Sequence, residues 1–309
     1  MGKTAWVFPG QGSQYLGMGR SIAEADSKAR ALLDGASELL GYDLAALCWE
    51  GPEEKLKQTE YTQPALLTVS TMLSSILKSH GLAPNVVAGH SLGEYSALVA
   101  AGSLDFETAV TLVARRGRLM EEAVPAGRGT MAVLLGLDYQ QVASICREAA
   151  QGEVVEPANL NCPGQIVISG HRTAVERAMA LGAEQGARRV VELDVSGPFH
   201  SSLMRPAAEI FAKDLADADI RDPEVPVIAN ATADYVQDAA EIRRVLVKQL
   251  YSPVRWEETI QRLISQGVDT FIEVGPGRVL AGLIKRISRS VTVVGFQEME
   301  GLEKVLEMA

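Results

Sequence analysis

Asn85-Val86-Val87-Ala88-Gly89-His90-Ser91-Leu92-Gly93-Glu94-Tyr95-Ser96-Ala97-Leu98-Val99-Ala100-Ala101 joins a short apolar run to a helix-forming tail through a Gly-His-Ser-Leu-Gly pentapeptide. The first part has the length and β-branched content of a buried strand, and the last has the composition of a helix. Between them, G-x-S-x-G is the spacing of a nucleophile elbow, a sharp strand-to-helix turn that lifts a serine hydroxyl above the end of a sheet. Glycines flank the serine because the turn brings backbones closer than a Cβ allows. Ser91 is the candidate nucleophile; the alternative is a tight turn carrying an inert serine.

Outward from the elbow, strand-like runs at Thr4 to Phe8, Val86 to Ala88, Val225 to Ile228, Thr270 to Val274 and Val291 to Gly295 alternate with long helical patterns. That alternation predicts a mainly parallel sheet with both faces covered, and ligands on such sheets bind beyond the carboxyl ends of the strands. The Phe8-Pro9-Gly10-Gln11-Gly12-Ser13-Gln14 loop, the elbow and the Gly275-Pro276-Gly277 turn each follow one of these strands, so all three are expected at one rim.

Between about 125 and 194 the rhythm changes. Met131 to Leu135 reads as a strand and Asp138 to Ala150 as a helix with an Asp N-cap; Val154 to Glu156 and Gln165 to Ser169 read as strands. Thr173-Ala174-Val175-Glu176 has capping-box form within a helix ending near Gly186, and Arg188 to Leu193 reads as the closing strand. The order βαββαβ predicts a ferredoxin-like unit. The expected organisation is an α/β large domain over residues 1–124 and 195–309, with a small domain inserted at 125–194. The cleft between them is the default site.

Composition narrows the function. With 39 acidic and 29 basic residues the net charge is −10, which argues against general binding to nucleic acid or an anionic membrane surface. An acidic partner would need a local basic patch. Cys48, Cys146 and Cys162 are widely spaced and odd in number, so neither a disulfide framework nor a zinc site is indicated, and a cytoplasmic location is expected. The N-terminus lacks the apolar core of a signal peptide, and no apolar run is long enough to span a bilayer. A soluble, complete chain, acting as a monomer, is the expectation.

A serine hydroxyl needs a neighbouring base, most often histidine. The chain has four: His80, His90, His171 and His200. His90 adjoins Ser91, but successive side chains on a sharp turn diverge. His80 ends a helical pattern and His171 begins one. His200, in Gly197-Pro198-Phe199-His200-Ser201, follows a turn and precedes a helix beginning near Ser202, a position that can project over a rim; residue types alone leave its role open. Acyl transfer also needs oxyanion donors, for which the Leu92 N–H after the nucleophile and the Gln11 N–H of the early glycine loop are the candidates. No Gly-Lys-Ser/Thr follows that loop, so a Walker phosphate loop is excluded. For the group that holds the histidine, Glu192 and Asp194 are nearby but not securely placed. Asp105 is a plausible N-cap for a helix running to about Glu122, with Arg116 and Met120 on one face. By themselves Arg115, Arg116 and Arg118 read as a solvated helix face.

Phe8 to Gln14, Gly89 to Tyr95, Arg116-Gly117-Arg118-Leu119-Met120, Gly197 to His200, Gln249-Leu250-Tyr251 and Glu273-Val274-Gly275-Pro276-Gly277 together resemble the malonyl-CoA:acyl carrier protein transacylases of type II fatty-acid synthesis in order and spacing. The resemblance implies a hydrolase-like parallel-sheet large domain carrying a ferredoxin-like insert. It implies Ser91 as nucleophile, His200 as general base, Gln11 and Leu92 as the oxyanion hole, and the main-chain carbonyl of Gln249 as the group orienting the histidine. It makes Arg116 the clamp for the malonyl carboxylate, and Phe199 a substrate-binding residue that crowds an α-methyl branch. The implied reaction is ping-pong transfer of malonyl from malonyl-CoA to the phosphopantetheine thiol of acyl carrier protein, with no metal and no cofactor. A serine hydrolase, a non-catalytic carrier-binding scaffold and a polyketide-pathway transacylase are the alternatives.

Overall fold

The computed structural model describes residues 2–308. Its strands, in chain order, are β1 (Lys3–Phe8), β2 (Val86–Gly89), β3 (Gly129–Leu135), β4 (Val155–Cys162), β5 (Gln165–His171), β6 (Arg189–Glu192), β7 (Val227–Ala229), β8 (Asp234–Tyr235), β9 (Val268–Val274) and β10 (Thr292–Phe296). Six form one sheet in the order β10-β9-β1-β2-β7-β8, parallel throughout except for the short edge strand β8. Successive residues of β1 enter different cores: Ala5 and Val7 join Val86, Ala88 and Phe271 on one face, while Trp6 and Phe8 join Val87 and Ile272 on the other. A strand apolar on both sides is what a parallel sheet between two helical layers requires.

Register brings the functional loops together. Phe8 pairs with Gly89, Val7 with Glu273, and Ala88 with Ile228, so β1, β2, β7 and β9 end at one rim. The Gln11 loop, the elbow and the Gly275 turn leave from it as expected, and the segment after β7 joins them. The β7 strand starts later than the apolar run beginning at Val225, because Pro226 has no N–H to give the ladder, although its carbonyl still accepts from Val87 N–H at 2.9 Å. Behind the elbow lies the Thr59–Ser79 helix, buried along nearly its whole length and packed against the Phe106–Glu122 helix.

The remaining four strands form an antiparallel sheet in the order β4-β5-β3-β6, the ferredoxin-like arrangement. Alternation divides its side chains: Ala132, Leu134, Ile166 and Ile168 pack under the Tyr139–Ala150 and Arg172–Glu184 helices, whereas Met131 and Val167 turn toward the main core. Asp138 caps its helix as expected, in a full capping box with Gln141. Two local expectations need correction. β4 does not stop at Glu156 but runs to Cys162 through irregular registers at Pro157/Asn159 and Leu160/Cys162. On an edge strand a proline and bulges are tolerated, and Val254 covers this edge through Leu160 N–H and Ala158 O. Thr173 does not cap. The helix begins at Arg172 after His171, and the Thr173 hydroxyl instead donates to Glu153.

Candidate active site

The elbow has the strain its glycines foretold. Ser91 sits at φ 51°, in the left-handed region rarely adopted by residues other than glycine. A Cβ on Gly89 would lie 1.9 Å from the Gly93 carbonyl, and one on Gly93 would lie 2.0 Å from the Phe8 carbonyl oxygen. Neither position admits a side chain. Asn230, directly after β7, ties the turn down: its Oδ1 accepts from Ser91 N–H at 2.6 Å and its Nδ2 donates to Gly89 O at 2.6 Å.

Over this turn stands His200, also left-handed at φ 59°. Its Nε2 is 2.7 Å from Ser91 Oγ and its Nδ1 is 2.9 Å from the Gln249 carbonyl oxygen. A carbonyl only accepts, so Nδ1 carries the proton and Nε2 presents its lone pair to the serine hydroxyl. Burial, reinforced by the Arg116 charge, pushes the imidazole pKa down to about 3, which leaves it neutral and able to receive a proton at physiological pH. The other histidines are engaged elsewhere: His90 Nε2 is 2.9 Å from Asn161 Oδ1, His171 Nδ1 accepts from Val154 N–H, and His80 closes the Thr59–Ser79 helix. Glu192 is on the surface with Arg172 and Thr130, and Asp194 lines the cleft without a bond to His200.

Arg116 departs from the solvated-face reading. Asp105 caps its helix, Phe106–Glu122, accepting from Thr108 N–H at 2.7 Å, and the register points Arg116 inward. Arg115 and Arg118 stay on the surface, paired with Asp214 and Glu60, while Arg116 is only 1% exposed. One of its Nη1 hydrogens goes to Gln63 Oε1 at 2.8 Å; Nη2 reaches Gln249 Oε1 at 2.8 Å and Ser91 Oγ at 3.2 Å. Its guanidinium lies over the Tyr95 ring, 5.5 Å from the centroid. Gln11 and Leu92 flank Ser91 in the same cleft, and among the described residues neither backbone N–H has a protein acceptor. The Gln11 side chain is held by Thr59 Oγ1 at 3.1 Å. Phe199 is buried in the cleft wall beside His200.

Sequence reasoning missed Gln63, Glu94, Asn161 and Asn230, and it assigned Gln249 only its carbonyl. Asn230 was within reach of the rule that placed the other loops, since it follows a parallel strand at the same rim. Glu94 carried a signal as the one charged residue in the helix Gly93–Ala100, otherwise nearly all buried and apolar. Gln63 carried none beyond a polar residue in a buried helix.

The family model of the acyl transferase domain matches residues 5–304. The malonyl CoA-acyl carrier protein transacylase of Bacillus subtilis is 49% identical over 308 residues, covering 99% of this chain and 97% of that one. A crystal structure of an acyl carrier protein S-malonyltransferase from Vibrio cholerae superposes with TM-score 0.96 at 49% identity, covering 98% of this chain and 99% of that one. This chain belongs to the malonyl CoA-acyl carrier protein transacylase family. A further structure, a malonyl-transacylase in complex with a type II polyketide acyl carrier protein, matches with TM-score 0.97 and 47% identity over 99% of this chain and all of that one.

For a member of the transacylase family the opening above the serine is the relevant space. It is a cleft of about 420 Å³ bounded by Gln11, Ser91, Arg116, Met131, Phe199 and His200. Larger hollows of about 600 Å³ beside Tyr139 and Cys162, and about 630 Å³ at the foot of the parallel sheet, hold no nucleophile–base pair. No helix among the described residues is long and apolar enough to cross a membrane.

Proposed function

We propose that the protein moves the malonyl group of malonyl-CoA onto the phosphopantetheine thiol of an acyl carrier protein through an ester on Ser91. One observation carries the reading: Ser91 Oγ lies 2.7 Å from a neutral imidazole and 3.2 Å from a buried guanidinium. Nucleophile, base and carboxylate receptor thus converge on one oxygen.

In the first half-reaction His200 Nε2 takes the Ser91 proton as Oγ attacks the thioester carbonyl. The oxyanion falls between the Gln11 and Leu92 N–H groups, which is why both lack protein acceptors. The C–S bond breaks and the imidazolium returns its proton to the CoA sulfur. The second half runs the same steps with the carrier thiol, whose proton passes through His200 back to Ser91. The acyl carboxylate, one methylene beyond the carbonyl, reaches Arg116. There Nη1 spends one hydrogen on Gln63 and the Nη2 hydrogen is freed as the serine becomes an ester, which leaves guanidinium donors for the malonyl carboxylate. Burial is the main cause of the low His200 pKa and the Arg116 charge adds to it; pairing Arg116 relieves that second part, so a carboxylated acyl group strengthens its own base. Phe199 narrows the cleft against an α-branched acyl chain.

Arg188 and Arg189 are exposed at the end of the small sheet where β6 begins, and Lys285 and Arg286 on the neighbouring helix are exposed as well. Arg286 bonds Gln165, which pairs with Leu135, which pairs with Arg189. The two basic pairs thus share one flank, which suits an acidic carrier on a protein of net charge −10. Residues 125–194 form the small domain, 1–124 and 195–309 the large one, and the cytoplasm is the working compartment. The test is acyl transfer from malonyl-CoA to holo-carrier against release of free malonate. Transfer should dominate; release with the carrier thiol unlabelled would make the protein a hydrolase.

A further inference from the structure

Behind the elbow a buried carboxylate is linked through two amide residues to Ser91, Arg116 and His200 without touching the reacting atoms. Glu94 is 2% exposed, and its Oε2 accepts from Gln249 Nε2 at 2.7 Å and from Asn230 N–H at 3.0 Å. Gln249 has three further duties: its Nε2 also donates to Ser91 O, its Oε1 receives Arg116 Nη2, and its main-chain oxygen holds His200. Asn230 holds Ser91 N–H and Gly89 O. An amide side chain can be turned end for end, exchanging donor for acceptor. Glu94 Oε2 and the Ser91 carbonyl oxygen both accept from Gln249 Nε2, and Arg116 only donates, so Glu94 helps hold the Gln249 nitrogen toward itself and the oxygen toward Arg116.

Charge adds a second duty. The ionisable groups that act on Glu94 are Arg116 from the Phe106–Glu122 helix and Tyr95 on its own helix; Asn230 and Gln249, which bond it, are neutral. Arg116 is the only cation among them at neutral pH, and burial without an anion would be costly for it. Once a malonyl carboxylate arrives, two anions compete for one guanidinium.

We propose that Glu94 is a positioning residue and the internal counter-charge of Arg116. Its carboxylate sets the amides that aim Arg116 and steady the elbow. Its charge makes the grip on a carboxylated acyl group vary with pH while an uncharged acyl group is held equally well throughout. Burial, partly offset by Asn230, Gln249 and Arg116, raises the Glu94 pKa to about 7, so the competing charge develops as pH rises through neutrality. His200, with its pKa near 3, does not titrate in that range.

The inference rests on the malonyl-transfer reading, and the test separates the two. KM and kcat for malonyl-CoA and acetyl-CoA are measured on the full-length wild type and on Glu94→Gln from pH 5.5 to 8.5, beside the mass of the acylated enzyme. Glutamine keeps an acceptor for Asn230 and Gln249 but carries no charge. For the wild type, KM for malonyl-CoA should rise by roughly threefold to tenfold across the range, tenfold corresponding to one pKa unit of coupling, with KM for acetyl-CoA flat. In Glu94→Gln the malonyl profile should flatten near the low-pH wild-type value. Superimposable wild-type and variant profiles, or malonyl and acetyl constants moving in parallel, would overturn the proposal. If Glu94→Gln does not fold for want of a counter-charge, Glu94→Gln with Arg116→Met, which removes both charges, should fold; if that pair also fails, charge is not what Glu94 supplies and the proposal falls. A wild type that takes up no malonyl ester would instead sink the transfer reading.

Discussion

The two sides of Ser91 are built on different plans. In front, the elbow and the Gln11 loop are short segments at the ends of neighbouring parallel strands, shaped by glycines with identifiable steric reasons. Behind, Gln63, Glu94, Arg116, Asn230 and Gln249 come from five separated stretches of chain and meet only through tertiary packing. In the proposed reaction the front, with His200 standing over it, supplies the reacting groups and the back supplies orientation and charge. Damage to the front should therefore disable transfer of every acyl group, whereas damage to the back should discriminate among them.

The largest effect is expected at the front. His200→Ala should slow both acylation and deacylation by about 10² to 10⁴, the usual worth of general acid–base catalysis, for malonyl and acetyl alike. Rapid-quench measurement of each half-reaction checks this, and near-normal turnover would move the base elsewhere.

At the back, Arg116→Ala should lower malonyl transfer by about tenfold or more, because a desolvated carboxylate without its partner costs roughly 1–3 kcal/mol, while acetyl transfer is kept or gains. Arg116→Lys should rescue only part, since an ammonium lacks the planar fork. Competition between the two thioesters measures the ratio directly. Equal loss for both would make Arg116 a structural residue and erase the division between front and back.

This division also describes what could be read from the chain. The elbow, the rim and the helix caps at Asp105 and Asp138 are local, and local patterns predicted them. The Arg116 environment depends on Gln63, 53 positions away, and on Gln249, 133 positions away, and no window of sequence contains such a contact. Taken by itself, Arg116 reads like its exposed neighbours Arg115 and Arg118; only the family resemblance singles it out. β4 failed for a different reason: proline and asparagine signal turns, but an edge strand covered by Val254 absorbs them as bulges.

A smaller effect concerns pH. Below 6.5 the unfolded chain protonates His200 while the folded one does not until about pH 3, so this residue costs stability as pH falls through that window, at about 1.4 kcal/mol per unit. Glu94 and Glu273, both raised to about 7 by burial, act oppositely between 4.5 and 7 because the folded state then holds the extra protons. The readout is therefore the difference between wild type and His200→Gln in thermal midpoint. That difference should close or reverse in favour of the variant from pH 6.5 to 4.5; a constant difference would mean that His200 is not buried neutral.

The smallest effect lies outside both regions. Reversing charge at Arg188, Arg189, Lys285 and Arg286 should raise the apparent KM for carrier a few-fold and weaken its salt dependence, sparing acylation by malonyl-CoA. Carrier kinetics identical to wild type would place the docking surface elsewhere.

Whether Ser91 carries the acyl group is read from intact mass after rapid mixing with malonyl-CoA in the absence of carrier, followed by peptide mapping. The wild type should gain the mass of one malonyl group, located on the peptide containing Ser91 and absent from Ser91→Ala. An unmodified wild type, or an adduct that survives in Ser91→Ala, would contradict it.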